Sequence, residues 1–255
     1  MKRMVDLKNA IWQFDNNTTH RLVEEGAYID IKDDAGSTLL HWAAQENKVA
    51  VMEYLLLQRT IDIHHKNNQG QTALHLAASC RAAAAVECLL QHDAQIDSQD
   101  QWGCPPLHWA LRSKCLDTIM ALLNGQANVN IKNAAGETAL HIATYYGVEN
   151  AVKLCLQRDA ANINSTDNAG YTPLHWAAIK GFGPIMKILL EKGADPEFKD
   201  KAGKTYQDVR QVSWSKQPVY VLGQFVAPRA KGQPTEPNQA VAPSSLFMSK
   251  RRYSA

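Results

Sequence analysis

Residues 170–178 read GYTPLHWAA, and four other stretches of the chain share this pattern. Each begins with a glycine, has threonine or proline two residues later, and has histidine five residues after the glycine. The other copies are GSTLLHWAA (36–44), GQTALHLAA (70–78), GCPPLHWAL (103–111) and GETALHIAT (136–144). The histidines therefore recur every 33 or 34 residues. A constant period of this length predicts a solenoid of stacked units.

Each copy leads into a second apolar stretch, such as VAVMEYLLL (49–57) or DTIMALL (117–123), and then into a polar loop. Threonine can cap a helix, and proline suits the first helical turn because its missing N–H needs no partner there. Glycine permits the positive φ that a hairpin tip commonly requires. We therefore predict units of two helices joined by glycine-containing hairpins.

The period and the T-P-L-H-x-A motif resemble the ankyrin repeat over roughly residues 4–225. The resemblance implies an all-α solenoid of helix-turn-helix units with β-hairpin loops. We expect five full repeats between degenerate caps at about 4–35 and 204–226, with PVYVLGQFV (218–226) as the last cap's second helix. The resemblance also implies that the motif histidines form hydrogen bonds around the turn before each first helix and tie adjacent repeats together. The structural motif residues are His41, His75, His108, His141, His175, Gly36, Gly70, Gly103, Gly136 and Gly170.

The sequence divides into a repeat domain at 1–226 and a Pro-rich, basic tail at 227–255, which we expect to be disordered. From Arg210 to Ala255 there are seven Lys/Arg and one Asp/Glu, a charge of +6. The net charge is +2, so residues 1–209 carry −4. A mildly acidic body does not favour nucleic-acid binding. The tail end, SLFMSKRRYSA, is either a solvated terminus or a docking peptide.

The cysteine pattern favours a reducing compartment. Five cysteines, odd in number and without a C-x-x-C pair, are read as free thiols. The amino-terminal residues show no secretory signal and no apolar run is long enough to span a membrane. We expect a cytoplasmic protein that is monomeric alone.

Cys104 and His108 in CPPLHWA could be a nucleophile and its base, but both positions belong to a copy of the repeat. Cys104 occupies a variable position and is expected to be partly exposed. His64-His65 is weak evidence for metal because no cysteine or carboxylate pattern accompanies it. Catalytic motifs such as H-E-x-x-H and the P-loop are absent. The predicted protein is not an enzyme and has no cofactor, metal or catalytic residue.

A partner is expected to contact the hairpin tips and the concave face of the first helices, by resemblance to other ankyrin proteins. Trp102 stands at a tip where the other copies have alanine or glutamine, and the fold does not require it there. Aromatic residues with arginine at the rim are typical of interface hot spots. Alternatively, the tyrosines simply pack on each other. The predicted contact residues, in repeats three to five, are Trp102, Cys104, Arg112, Glu137, Tyr145, Tyr146, Tyr171 and Lys180. Trp42, Trp109 and Trp176, which share one helix position, are instead expected to be core.

We expect a non-catalytic adaptor or inhibitor that binds one or more proteins. The alternative is a regulatory or targeting subunit, or a bacterial effector delivered into the host cytosol or nucleus, whose tail contacts a second partner. The resemblance further implies that Asn130 and Asn164 match a loop asparagine that asparaginyl hydroxylase modifies in many ankyrin proteins.

Overall fold

A computed structural model describes residues 32–58, 60–210, 220–221 and 224–225. Within these residues five helix pairs follow one another and are succeeded by a single short helix. The pairs are α1 (Leu39–Gln45) and α2 (Val49–Leu56), α3 (Ala73–Ser79) and α4 (Ala83–Gln91), α5 (Pro106–Ser113) and α6 (Leu116–Asn124), α7 (Ala139–Tyr145) and α8 (Glu149–Arg158), and α9 (Pro173–Lys180) and α10 (Gly183–Glu191). The single helix is α11 (Tyr206–Arg210). The predicted helical solenoid is thus confirmed.

The helices form two rows. The first helix of each pair packs against the first helices of its neighbours, and the second helices form a parallel row of their own. The paired alanines of the motif lie in the first row, where Ala43, Ala44, Ala77 and Ala78 are completely buried. Because an alanine side chain is only a methyl group, backbones can approach closely there. The core is therefore continuous along the stack, although each unit contacts only its neighbours.

The loops before the first helices are held by one recurrent side chain. Asp33 Oδ1 accepts hydrogen bonds from the backbone N–H of Ala35 and Ser37, at 2.9 and 2.8 Å. The same two bonds recur at Asn67, Asp100, Asn133, Asp167 and Asp200. Neighbouring tips are joined through the backbone: Asn68 N–H donates to the Ala35 carbonyl, and Ala134 N–H donates to that of Trp102. The tips therefore form a ladder along one edge of the stack.

Four of the five motif histidines link adjacent repeats in one geometry. In the first copy the Thr38 hydroxyl lies 2.8 Å from His41 Nδ1, and Nε2 lies 3.0 Å from the Gln71 carbonyl of the next repeat. Since a carbonyl can only accept, Nε2 carries the hydrogen and Nδ1 accepts from threonine. The equivalent bonds are made by His75, His141 and His175. These four imidazoles thus each join two adjacent repeats.

His108 is the exception. Pro105 replaces threonine at the N-cap of α5, and neither ring nitrogen of the buried His108 has a hydrogen-bond partner. Burial and the neighbouring His141 lower the pKa of His108 to about 3, and the nearby Ile131 backbone acts in the opposite direction. Repeat three therefore lacks the threonine cap and the bond from histidine to the carbonyl of the next repeat that the other four motif histidines make.

The carboxyl-terminal cap differs from its prediction. Asp208 stands in the histidine position of α11, and its carboxylate accepts from the Thr205 N–H and hydroxyl. The prediction of a second helix over 218–226 is wrong: β1 (Tyr220–Val221) pairs antiparallel with β2 (Gln224–Phe225). β-Branched and aromatic residues dominate VYV, which favours strand over helix. Most of the amino-terminal cap and the tail at 227–255 lie outside the described residues.

Candidate functional site

Trp102 at the third hairpin tip lies against a second tryptophan. Its ring centroid is 6.0 Å from that of Trp109 on α5. The Trp109 indole N–H donates to Asp100 Oδ2 at 2.8 Å, and the Arg112 guanidinium lies 5.3 Å from the Trp109 ring centroid. Trp102, Trp109 and Arg112 are all half-buried, so each keeps surface that a partner can reach. These three residues form one continuous patch from tip to helix.

A second aromatic group lies on repeats four and five. Tyr145 contacts Tyr146 and Trp176 edge-on, with centroid distances of 5.1 and 5.3 Å. Tyr171 contacts Trp176 from the neighbouring tip at 5.6 Å. The Lys180 ammonium lies 3.7 Å from the Tyr145 ring centroid, within the range of a cation–π interaction. The tyrosines therefore do pack on each other, while Tyr145, Tyr146 and Tyr171 all remain half-buried.

Arg112 connects the two groups. Burial raises the pKa of both Tyr145 and Tyr146, and the positive charge of Arg112 opposes that rise at each phenol. Lys114, which follows α5, lies 5.8 Å from the Tyr146 ring centroid. The structure thus brings together most of the predicted contact residues, along with Trp109, Lys114 and Trp176.

Cys104 and Glu137 differ from expectation. Cys104 is only 3% exposed, so the prediction of partial exposure is wrong. Its backbone carbonyl accepts from His75, and burial raises the pKa of its thiol to about 12. Glu137 is 6% exposed, and its carboxylate accepts a hydrogen bond from the Asn133 amide at 2.8 Å. Both residues lie between the aspartate or asparagine that holds the hairpin loop and the first helix of their repeat, where the side chains are buried. They therefore offer a partner very little accessible area.

The surroundings of Cys104 and His108 show that they do not form a nucleophile and its base. The His108 ring nitrogens have no hydrogen-bond partner, so they do not activate the Cys104 thiol. A thiol with a pKa near 12 is protonated at neutral pH. No nucleophile–base pair exists in CPPLHWA.

The three helix tryptophans are held by the hairpin loops. The indole N–H groups of Trp42, Trp109 and Trp176 donate to Asp33, Asp100 and Asp167 at 3.1, 2.8 and 3.0 Å. Where the helix position is Leu76 or Ile142, the loop residue is Asn67 or Asn133. Trp176 is buried, but Trp42 and Trp109 are only half-buried, so their prediction as core is too strong. In all three the indole N–H is turned to the aspartate of the hairpin loop.

Sequence reasoning missed two cations, Arg81 and Lys114. Each follows a first helix and has positive φ, 66° and 57°. The corresponding residues of other repeats are Asn47, Gly147 and Gly181, which also have positive φ. A non-glycine side chain at this point projects from the end of the first helix. The signal in the sequence was their recurrence six residues after the motif histidine.

Asn130 and Asn164 both link repeats. The Asn130 side-chain amide donates to Asp159 at 2.6 Å, and Asn164 Oδ1 accepts from the Asp195 N–H at 2.9 Å. The bond from Asn130 is the main cause of a lowered pKa at Asp159. Both asparagines are half-buried within these bonds.

Two further features concern the described part of the chain alone. In it, no cluster of three or more histidine, cysteine, aspartate or glutamate side chains has the arrangement of a metal site. No described helix has the length and apolar character needed to cross a membrane.

Comparison with known proteins gives consistent similarities. A family model described as ankyrin repeats (3 copies) matches residues 7–100, 56–133 and 107–200. The tyrosine-protein kinase Shark of Drosophila melanogaster is 39% identical over 125 residues, 49% of this chain and 13% of the kinase. The human transient receptor potential cation channel subfamily A member 1 is 30% identical over 147 residues, 54% of this chain and 13% of the channel. The chain thus spans only a small part of the length of these relatives.

A solved structure also matches over most of this chain. The ankyrin repeat domain of Bcl-3, described as a unique member of the IkappaB protein family, superposes with a TM-score of 0.72 at 27% identity. The superposition covers 81% of this chain and 94% of that domain.

Proposed function

Because this chain belongs to the ankyrin repeat family, whose repeats mediate protein–protein interaction, we propose that it is an adaptor or inhibitor that binds its partner across repeats three to five. The contact surface runs from Trp102 through Arg112 to Tyr145 and Tyr146. We call these four residues, with Trp109, Tyr171 and Lys180, the aromatic surface. This surface lies within the repeat domain at 1–226. The protein acts as a monomer in a reducing compartment.

One observation carries this proposal: two groups of aromatic rings lie in adjacent repeats, Trp102 with Trp109 in repeat three and Tyr145, Tyr146 and Tyr171 around Trp176 in repeats four and five, although the repeat motif requires neither Trp102 nor the tyrosine pair. A ring that is already partly ordered by its neighbours loses little conformational freedom when a partner covers it. Aromatic residues with arginine nearby dominate the binding energy of many interfaces. Cys104 and Glu137 support this surface from beneath and contribute little area to it.

The test is a double variant, Trp102→Ala/Tyr146→Ala, against the partner recovered by affinity purification. Removing two anchors should weaken binding by roughly 2 kcal/mol or more, measured by isothermal calorimetry. The matched control is Tyr54→Ala/Gln69→Ala, which removes a second-helix aromatic and an exposed tip residue outside the aromatic surface. Undiminished affinity in the double variant, or equal losses in the two pairs, would contradict the proposal.

Folding has to be followed in the same experiment. Tyr146 packs against the hydrophobic core, so its replacement by alanine should also lower stability. Trp102→Ala alone and Tyr146→Phe each remove part of the surface with less disturbance of that packing. Circular dichroism melts of all four proteins separate a loss of fold from a loss of contact.

A second partner is the alternative function, favoured by the charge of +6 over residues 210–255 against −4 over the rest. In this alternative the chain is a targeting subunit or a delivered effector, and the tail contacts another protein. Deleting 227–255 should abolish one interaction and leave binding at the aromatic surface intact. Loss of neither interaction would exclude this alternative.

A further inference from the structure

Positive side chains lie at the ends of the first helices. Arg81, Arg112 and Lys114 form no ion pair with any of the residues that the structure describes. Arg112 and Lys114 lie over the rings of Trp109 and Tyr146, and Lys180 lies over Tyr145. We call Arg81, Arg112, Lys114 and Lys180, with Tyr145 and Tyr146 between them, the basic face.

The exposed acidic residues lie elsewhere, whereas the buried Glu137 is close enough to Tyr145 and Tyr146 to raise their pKa. Exposed carboxylates are carried by the second helices, at Glu53, Glu87, Asp117, Glu149 and Glu191. The aspartates near the first row, such as Asp100 and Asp167, are buried and hold the hairpin loops. At the first-helix ends of repeats two to five there is no Asp or Glu, and Glu46 lies in repeat one. A body with a net charge of −4 thus presents one locally positive face.

We propose that the basic face binds an acidic segment of a partner protein, with carboxylates at Arg81, Arg112 and Lys114 and apolar side chains on Tyr145 and Tyr146. This inference rests on the proposed function, because it names the chemistry of the partner that the aromatic surface takes. Guanidinium groups bind carboxylates through paired, charge-assisted hydrogen bonds. Phenol rings between the cations accept apolar groups without adding charge.

Two other occupants fit less well. The chain's own residues 227–255 carry five Lys/Arg and one Glu, so the basic face repels them. A nucleic acid gains its affinity from many phosphate contacts, on the order of 6–10 for a typical site. The basic face offers four cations, set in a domain that is otherwise negative. Charge complementarity therefore favours a short run of carboxylates.

The experiment is a selection from a library of random peptides on the full-length chain, followed by fluorescence anisotropy on the winners. Selected peptides should be rich in Asp and Glu with interspersed apolar residues. Their affinity should fall roughly tenfold between about 50 mM and about 500 mM salt, because the opposite charges are screened. Winners that are neutral or basic would overturn the inference.

A matched pair of variants locates the effect. Arg81→Glu/Arg112→Glu/Lys114→Glu should weaken binding of the selected peptides roughly tenfold or more. Lys153→Glu/Lys187→Glu/Lys192→Glu changes the net charge equally, but on the second-helix row, and should leave affinity within about twofold. Equal losses in both variants would mean that only the overall field matters, and would overturn the inference.

Three outcomes distinguish a failure of this inference from a failure of the proposed function. If the selected peptides depend on Trp102 and Tyr146 but not on the three cations, the aromatic surface stands and the acidic partner falls. If single-stranded oligonucleotides bind more tightly than peptides and respond to the cation variants, the basic face recognises nucleic acid. If binding depends on neither set of residues, both proposals fall.

Discussion

At the residue scale, the sharpest departure from the repeat is the pair Pro105 and His108. In four repeats a threonine and a histidine satisfy each other, and the imidazole also reaches the next repeat. At Pro105 the hydroxyl and the backbone N–H are both missing, so His108 Nδ1 loses two donors at once. A buried polar atom without a partner costs about 1–3 kcal/mol.

Pro105→Thr should therefore raise the free energy of unfolding by about 1 kcal/mol, since a restored cap outweighs the lost stiffness of proline. Pro105 already has φ −77° and ψ 165°, close to the values of the N-cap threonines. Urea unfolding followed by circular dichroism measures the change. Thr138→Ala in repeat four is the reciprocal control and should lower stability by a similar amount. A Pro105→Thr protein that is no more stable than the parent would contradict this account of repeat three.

Cysteine reactivity gives a second prediction. Burial acts to raise the pKa of the half-buried Cys115 thiol, but the nearby Thr118 and Arg81 outweigh it and lower the pKa, whereas burial raises the pKa of Cys104 and Cys155 to about 12. Because the thiolate is the reactive form, Cys115 should be alkylated first. Timed treatment with iodoacetamide and peptide mass spectrometry measures the order, and unfolding in urea should abolish it. Faster labelling at Cys104 in the native protein would show that the third tip opens.

At the element scale, the hairpin tips decide how closely repeats can stack. Gly70 has φ +73°, and a Cβ there would lie 2.8 Å from the Gln101 backbone nitrogen of the next tip. Gly203 has nearly the same φ, +75°, but nothing lies within 4 Å of its Cβ position. Glycine is therefore required at position 70 by the backbone conformation and by the neighbouring repeat, and at position 203 by the backbone conformation alone.

Alanine substitution separates the two requirements. Gly203→Ala should cost roughly 1–2 kcal/mol for the left-handed conformation. Gly70→Ala should cost clearly more, because the backbone of the adjacent tip has to move as well. The difference between the two free energies of unfolding is the measurement. Equal costs would mean that the tips are not in rigid contact.

Most of the first helices and hairpin tips could be predicted because the same motif recurs in every repeat. The periodic histidine and glycine place the first helices and tips, and five agreeing copies leave little freedom in register. The cap at 218–226 could not be predicted in the same way. Its apolar pattern suits a helix or a strand, and the described residues pair as two short strands.

At the scale of the whole molecule, the histidine bridges link stability to pH. Burial lowers the pKa of His41, His75 and His141 to about 4, from the usual 6.5. Between these two values the unfolded chain binds more protons than the native one. Stability is therefore complete above about pH 6.5 and falls toward about pH 4.

Each of these imidazoles should remove about 2 kcal/mol of stability between about pH 7 and about pH 5. Burial raises the pKa of Asp100, Asp167 and Glu137, which makes the decline shallower. Urea midpoints across this range measure it. His75→Gln should flatten the dependence of stability on pH, because glutamine does not titrate and can still reach back to the N-cap. His92→Gln, at an exposed position, should leave this dependence unchanged. Stability that is constant from neutral to acid pH would refute the bridging account.

By itself the sequence determined the architecture of this protein, because a solenoid is built from local pairings that a 33-residue motif can encode. It also pointed to Trp102 and the tyrosine pair, since they depart from the motif. Only the tertiary structure decided which of the flagged side chains reach the surface. Cys104 and Glu137 turn inward beneath the tip, while Arg81 and Lys114 emerge from the helix ends. The physical reason is that the exposure of a side chain depends on how closely one repeat packs on the next. The sequence of a single repeat does not encode that packing distance.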